Sequence, residues 1–449
     1  MADRQQNTNE TIFAIATPPG TGGVGVIRLS GPGVVEIANS VLTFLPVPRF
    51  ASTANFLDDD GHTIDSGLAL YFPGPASFTG EDVLELQGHG GTVVQQLLSR
   101  RLMELGARQA RPGEFSERAF LNDKMDLSQA EAIADLVESG TAAAARAAQR
   151  SLEGVFSARV KRVQAELTSL RVFIEAALDF PEEEIDFIAD SDTMERLEQV
   201  EKSTHSLLED AHQGKLLRDG ITVAIIGLPN AGKSSLLNAL AGSDTAIVTD
   251  IPGTTRDVLR ETISIDGLPV HIADTAGIRE SSDLIEAEGI RRARAALESS
   301  DLALLVLDLS VPGNNHAGLD SEIPSGLPLI RVWNKSDISP GQVPPSSYNV
   351  RISAKTGQGL DELKSMIREI AGANESNEGS FSARTRHLDA IRRTREHIKA
   401  GTDQLRDNNA PEILAEELRL AQKALGEITG EFLPDDLLGA IFASFCIGK

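Results

Sequence analysis

Gly227-Leu228-Pro229-Asn230-Ala231-Gly232-Lys233-Ser234 stands between an apolar run, ITVAII, and an amphipathic one, SSLLNAL. A glycine-bearing turn that joins a buried strand to a helix lets backbone N–H groups close on phosphate oxygens, and the helix N-terminus favours their charge. The spacing predicts Asn230, Ala231, Gly232, Lys233, Ser234 and Ser235 at a nucleotide. Lys233 should reach the β/γ-phosphates, and the Ser234 hydroxyl should ligate Mg²⁺.

Three later stretches fit the same chemistry. Asp274-Thr275-Ala276-Gly277 ends the apolar run PVHIA, where a carboxylate would touch Mg²⁺ and a glycine N–H would sense the γ-phosphate. Asn334-Lys335-Ser336-Asp337 follows LPLIRVW, and the Asp337 carboxylate can accept two N–H bonds from guanine that adenine cannot offer. A base that leaves such groups unpaired can be rejected by about 10⁴–10⁵. Ser353-Ala354-Lys355 supplies a last loop beside the base. Four motifs in this order predict an α/β P-loop domain for guanine nucleotides.

Hydrolysis needs a positioned water, yet Ile278 stands where Ras-type switches carry glutamine. Thr249-Asp250-Ile251-Pro252-Gly253-Thr254-Thr255 is rich in carbonyl and hydroxyl oxygens. With the Asn230 side chain it could ring a monovalent cation, which takes hard oxygen ligands. Asn230 is equally explained as a turn residue of the loop.

Outward from this segment the patterning changes twice. Before residue 118, strand-like runs (TIFAIA, VGVIRLS, LALYF, DVLELQ) alternate with turns and two helix patterns, an α+β unit. From 119 to 215 the pattern is helical, interrupted at Pro181 by PEEEID. The nucleotide segment spans 216–377 and closes at the polar linker NESNEGS, after which helices resume over 378–449. The fold expected is multidomain: an α+β N-terminal domain, an all-α helical domain, and an α/β P-loop GTPase domain inserted into the helical one.

Composition sets limits. A chain of 449 residues holds roughly three ordinary domains. One cysteine excludes an intramolecular disulfide and suits a reducing cytosol. MADRQQNTNE lacks the basic and apolar regions of a secretory signal, and no apolar run is long enough for a membrane span. A net charge of −24 and 4% aromatic residues disfavour a broad nucleic-acid platform, so RNA would need a partner or a local basic patch. Gly20, Gly22 and Gly25 satisfy G-x-G-x-x-G, but the strand-like VIRLS follows where a helix must begin, which rejects a dinucleotide fold. His89 has no metal-ligand cluster beside it and reads as a structural turn residue.

PGTGGVGVIRLSG, SFTGEDVLELQGHGG, FLNDKMDLSQAEAIADL, GLPNAGKSSLLNAL, TDIPGTTRD, DTAGIRE and the closing CIGK together resemble the tRNA-modification GTPase family called MnmE or TrmE. The resemblance runs nearly end to end. It implies a cytoplasmic homodimer that pairs with a flavin-dependent protein, MnmG or GidA. Together they add an aminomethyl-type group to C5 of the wobble uridine (position 34) of certain tRNAs. It implies a tetrahydrofolate derivative, 5-formyl or methylene, bound by Arg28, Glu85, Lys124 and Lys449. It also implies K⁺ cradled by Asn230, Thr249, Ile251 and Thr254, Mg²⁺ on Ser234 and Thr255, and Glu286 orienting the attacking water. From the strand pattern alone, VLEL reads as an edge strand with Glu85 solvated. An alternative function is a regulatory GTPase switch in ribosome or RNA assembly without modification chemistry.

Cys446 lies just past the helix pattern PDDLLGAIFASF. CIGK is a poor prenylation box, because Gly448 and Lys449 replace the residues it needs. The thiol is either a packing residue or, as the resemblance implies, a group at the rim of the folate pocket that serves tRNA modification.

Overall fold

The apolar runs around the nucleotide loop form the interior of a six-stranded sheet. In the computed structural model, strands β7 (Ile221–Ile226), β9 (Leu268–Ala273), β10 (Leu302–Asp308), β11 (Leu329–Asn334) and β12 (Asn349–Arg351) run parallel, and β8 (Glu261–Ile265) pairs antiparallel with β9. The order is β12-β11-β10-β7-β9-β8. Interior parallel strands are covered on both faces, which is why ITVAII and LALLVLD read as nearly continuous apolar runs. Val223, Ile225, Leu304, Val306 and Val332 fill one side of this sheet; Ala224, Ala303 and Leu305 fill the other.

The structure describes residues 10–179, 191–242, 261–273, 296–311, 323–339, 343–344, 346–373, 380–432, 435–445 and 448. By its internal contacts the chain forms two compact units, Met1–Ala134 with Gly426–Lys449, and Asp135–Leu425.

The first unit is built on β1 (Ile12–Ile15), β2 (Gly22–Ser30), β3 (Ser52–Leu57), β4 (Thr63–Phe72), β5 (Val83–Gly90) and β6 (Arg108–Gln109), ordered β3-β4-β5-β2-β1-β6. β2 begins at Gly22, so the glycine triplet leads into a strand and no dinucleotide turn exists there. Period-two alternation divides the faces: Ile27, Leu29, Leu84 and Leu86 point into a core with the helices Val34–Leu42 and Thr92–Glu104. The opposite face carries Ile12, Ala14 and Phe115. The helix Asp435–Ala443 returns to this unit and buries Leu438 and Phe442, with Phe445 just beyond it, against Leu127, Ala130 and Ala134. Gly113 permits that approach: its φ is +67°, and a Cβ there would collide with the Phe442 carbonyl.

In the second unit the helices Ala142–Leu152, Val155–Asp179, Ser191–Asp219 and Thr385–Asn408 pack together, with Pro411–Gly426 alongside. The 29-residue helix Ser191–Asp219 feeds β7 directly through Gly220, whose φ is +64°. Among the described residues no helix is long and apolar enough to cross a membrane.

Candidate functional site

β7 lies between β10 and β9, and the nucleotide loop leaves its carboxyl end, where open α/β sheets bind ligands. Gly227 (φ +153°) sits against the Val306 carbonyl, where no side chain would fit. Asn230 takes the left-handed conformation at φ +63°, which asparagine tolerates better than other non-glycine residues. Gly232 (φ +97°) caps the helix Lys233–Ala241 and faces the Asn334 amide so closely that a Cβ would strike it.

Asn334 ties this loop to the base-side loops. It is 3% exposed. Its Nδ2 donates to the Ala231 carbonyl at 3.0 Å, and its Oδ1 accepts from the Ala354 N–H at 3.0 Å. The Ser353 hydroxyl, fully buried, donates to Asp337 Oδ1 at 2.7 Å. That bond fixes the Asp337 carboxylate through one oxygen. The Lys335 ammonium donates to Asp308 Oδ2 at 2.6 Å. Burial raises the Asp308 pKa, but hydrogen bonds from Lys335 and Ser310 outweigh it and hold the carboxyl below its ordinary range. Three stretches far apart in sequence thus form one rigid cradle.

Lys233 Nζ donates to the carbonyls of Gly227 and Leu228 at 2.8 and 3.1 Å. Burial pushes its pKa down. An ammonium in that position gains from a phosphate anion, because the anion restores what burial removes. Ser234 presents an exposed hydroxyl in the first helical turn, a hard oxygen that suits Mg²⁺. Lys355 is a neighbour of Ala354 on the base-side loop. Thr249, Asp250, Ile251, Pro252, Gly253, Thr254 and Thr255 lie outside the described residues, as do Asp274, Thr275, Ala276, Gly277, Glu286, Cys446 and Lys449.

A second cluster lies in the first unit. Arg28 on β2 and Glu85 on β5 are direct cross-strand partners. Arg28 Nη2 and Nε lie 2.9 and 3.0 Å from Glu85 Oε1, and Gln87 Nε2 donates to Oε2 at 3.2 Å. β5 is interior, flanked by β4 and β2, so the edge-strand reading of VLEL does not hold. Glu85 is half-buried because its face of the sheet carries the β4–β5 loop: the Arg28 guanidinium stands 5.6 Å from the Phe78 ring centre. Lys124 Nζ donates to the Pro75 carbonyl of that same loop at 2.9 Å. The loop is anchored by Ser30 Oγ, which lies 2.7 Å from Thr79 Oγ1 and donates to Glu81 Oε2 at 2.7 Å. Gly448 lies against Ile15, the last residue of the strand paired with β2, and Ala16 just beyond it. The cluster offers a cation, a carboxylate with spare lone pairs, and an aromatic face, a donor set that suits a pterin with its acidic tail. Phe78 was not legible as a member; nothing in the polar run SFTGED distinguishes it from a loop aromatic. His89, expected in a turn, lies in β5 and hydrogen-bonds Asp65 Oδ1 through Nδ1 at 2.6 Å, a structural pairing.

Comparison with known proteins matches the chain to one family. The model for the GTP-binding protein TrmE N-terminus covers residues 11–124, and that for the MnmE helical domain covers residues 127–446. The chain belongs to the MnmE family. It is 54% identical over 449 residues to the tRNA modification GTPase MnmE of Methylococcus capsulatus, covering 98% of this chain and 99% of that protein. It is 53% identical over 453 residues to the MnmE of Yersinia pseudotuberculosis, covering 99% of this chain and all of its relative (100%). Among solved structures, Aquifex aeolicus Era bound to GDP·AlF4⁻ shares 27% identity over 39% of this chain and 66% of its own, with a TM-score of 0.27. The MnmE helical-domain match spans the P-loop cradle, and the TrmE N-terminus match spans the sheet that carries Arg28 and Glu85.

Proposed function

We propose that this tRNA modification GTPase uses GTP hydrolysis to drive addition of an aminomethyl-type group to C5 of the wobble uridine, with a one-carbon tetrahydrofolate as donor. The observation that carries the folate reading is the Arg28–Glu85 pair beneath Phe78, with Lys124 on the same loop. Glu85 would accept from the amide and guanidine edge of the pterin. Arg28 and Lys124 would meet the negative glutamate tail. Bound there, the folate supplies the one-carbon unit.

On the nucleotide side, Asp337 would read guanine while Lys233 and the loop N–H groups hold the phosphates. Ser234 and Thr255 would hold Mg²⁺, which would supply charge neutralisation at the phosphates. Asn230, Thr249, Ile251 and Thr254 would hold K⁺, and Glu286 would orient the attacking water. The protein acts as a cytoplasmic homodimer with the flavin-dependent MnmG and tRNA as partners, and Cys446 serves modification and not hydrolysis. The domain division that accompanies this reading is 1–118, 119–215, 216–377 and 378–449.

Two measurements test it. Nucleoside analysis of tRNA from cells lacking the protein should show loss of the wobble-uridine modification, restored by the wild-type gene and not by Cys446→Ser. GTP turnover at fixed Mg²⁺ should be faster in K⁺ than in Na⁺. Unchanged tRNA sinks the modification reading, and equal turnover sinks the cation ring.

A further inference from the structure

The nucleotide-binding segment is connected to the helices of its unit by two chain crossings, one at Arg218–Ile221 and one ahead of the helix Thr385–Asn408. Both crossings meet at a single carboxylate. Asp135, on the helix Leu127–Glu138, has a side chain only 4% exposed. Its Oδ1 accepts from Arg218 Nε at 2.7 Å and from Arg384 Nη2 at 2.7 Å. Its Oδ2 accepts from the Ser382 hydroxyl at 3.1 Å. Arg218 lies on the incoming crossing, and Ser382 and Arg384 lie on the outgoing one.

The surroundings leave little slack. Ser382 N–H donates to Ser151 Oγ at 2.9 Å, and the Ser151 hydroxyl donates to the Ser382 carbonyl at 3.1 Å. Gly214, near the end of the incoming helix, lies against the Phe381 carbonyl, where a Cβ would collide. Phe381 stacks on Phe156 with ring centres 4.5 Å apart. Beyond the crossings, Thr141 Oγ1 donates to the Gly267 carbonyl of the β8–β9 turn at 3.1 Å, and His271 on β9 lies 2.9 Å from the Asp219 carbonyl through Nε2. β9 leads directly to Asp274, the first residue of the γ-phosphate motif.

Relative motion is the ordinary expectation for domains joined by linkers. Here both linkers are clasped. Two guanidinium groups brought to one oxygen repel each other unless the anion between them is present; Arg218 also pairs with Asp219 through Nη1, but Asp135 is the carboxylate that both crossings share.

We propose that Asp135 is a positioning residue: by clasping Arg218 and Arg384 it makes displacement of the nucleotide domain during the GTP cycle reach the helical domain as a rigid movement. Its partners, Arg218, Arg384 and Ser382, are not among the residues assigned to nucleotide or folate. The proposal rests on the reading that GTP hydrolysis drives tRNA modification.

The test uses the full-length protein with its modification partner. Asp135→Asn keeps the side-chain volume and removes the charge. Its thermal unfolding should still be cooperative, and its steady-state GTP turnover should stay near wild type. Its tRNA modification rate should fall by about tenfold, within the usual size of coupling between sites. Asp135→Glu should recover most of that loss. Modification at the wild-type rate overturns the proposal, and so does a parallel fall in turnover and modification. If Asp135→Asn does not fold, Arg384→Gln carries the same test, since it removes the outgoing arm of the clasp and leaves the Arg218 pair. The same split is then expected, and its absence overturns the clasp. A wild-type protein that hydrolyses GTP and supports no modification in this assay overturns the underlying functional reading, a failure distinct from one seen only in the variants.

Discussion

Arg28 and Glu85 face each other across the antiparallel β2–β5 pair at the centre of the sheet, 2.9 Å apart, on the face that also carries Phe78. Both flank the interior of the sheet, so the pair holds one geometry and presents its remaining hydrogen-bonding capacity in a fixed direction. Glu85→Gln keeps the shape and removes the charge. Losing a charge-assisted hydrogen bond costs about 1.5–3 kcal/mol, which is about 10–150-fold in affinity. Titration with 5-formyltetrahydrofolate should show a loss in that range while GTP turnover holds. Unchanged folate affinity would remove Glu85 from the site.

The Asn334 bridge can be broken from either side. Asn334→Ala leaves the Ala231 carbonyl and the Ala354 N–H without their partner, a loss of about 1–3 kcal/mol for each group left buried and unpaired. Gly232→Ala drives a methyl group into the same amide at a φ of +97°. Fluorescent GDP titration should show weakened binding in both variants, and calorimetry a lowered melting temperature for Asn334→Ala. Wild-type affinity in Asn334→Ala would show that the loops hold their positions without the bridge.

Asp337 has Oδ1 engaged by Ser353, which holds its carboxylate in one orientation for the proposed reading of the base. Asp337→Asn should weaken GTP binding and shift preference toward xanthosine triphosphate, whose extra carbonyl accepts from the new amide. A competition assay decides it. Retention of the wild-type margin for GTP would show that Asp337 does not read the base.

Glu114 gives the first unit a defined acid sensitivity. Its side chain is 1% exposed. Burial raises its pKa, but the Arg108 hydrogen bond, the Arg111 N–H and the charges of Arg108 and Arg118 outweigh it and hold it below the ordinary 4.5. A carboxyl whose folded pKa is depressed binds more protons when unfolded, so its contribution is complete above 4.5 and is lost as pH falls through the lowered value. Thermal melts should therefore be flat on the neutral side and fall in acid. Glu114→Gln should be less stable at neutral pH and flatter in acid; a variant with the wild-type acid profile would assign the sensitivity elsewhere.

The nucleotide cradle was legible because its chemistry fixes residue types at fixed spacing: glycines where φ is positive, a lysine and a serine at the helix start, an aspartate for guanine. Asn334 was legible as a motif member, yet its role as the tie between Ala231 and Ala354 was not, since that depends on strand order. VLEL shows the same limit. Alternation places Glu85 opposite Leu84 and Leu86, but only the pairing of β5 with both β4 and β2 makes it interior. Asp135 gave no signal at all, because one acid on the helix pattern EAIADLVE looks like any solvated helix position until Arg218 and Arg384 converge on it.

The packing of Leu438, Phe442 and Phe445 onto Leu127, Ala130 and Ala134 also orders events on the ribosome. Chains fold as they emerge, with early segments available first. Here the early unit waits for a segment made after the whole helical and nucleotide-binding stretch, and until then the apolar faces of residues 127–134 stand open to water or to a chaperone. A messenger that stops short of residue 438 would release a protein whose nucleotide cradle is complete and whose first unit is unfinished, a product primed for aggregation or proteolysis while still able to take up GTP.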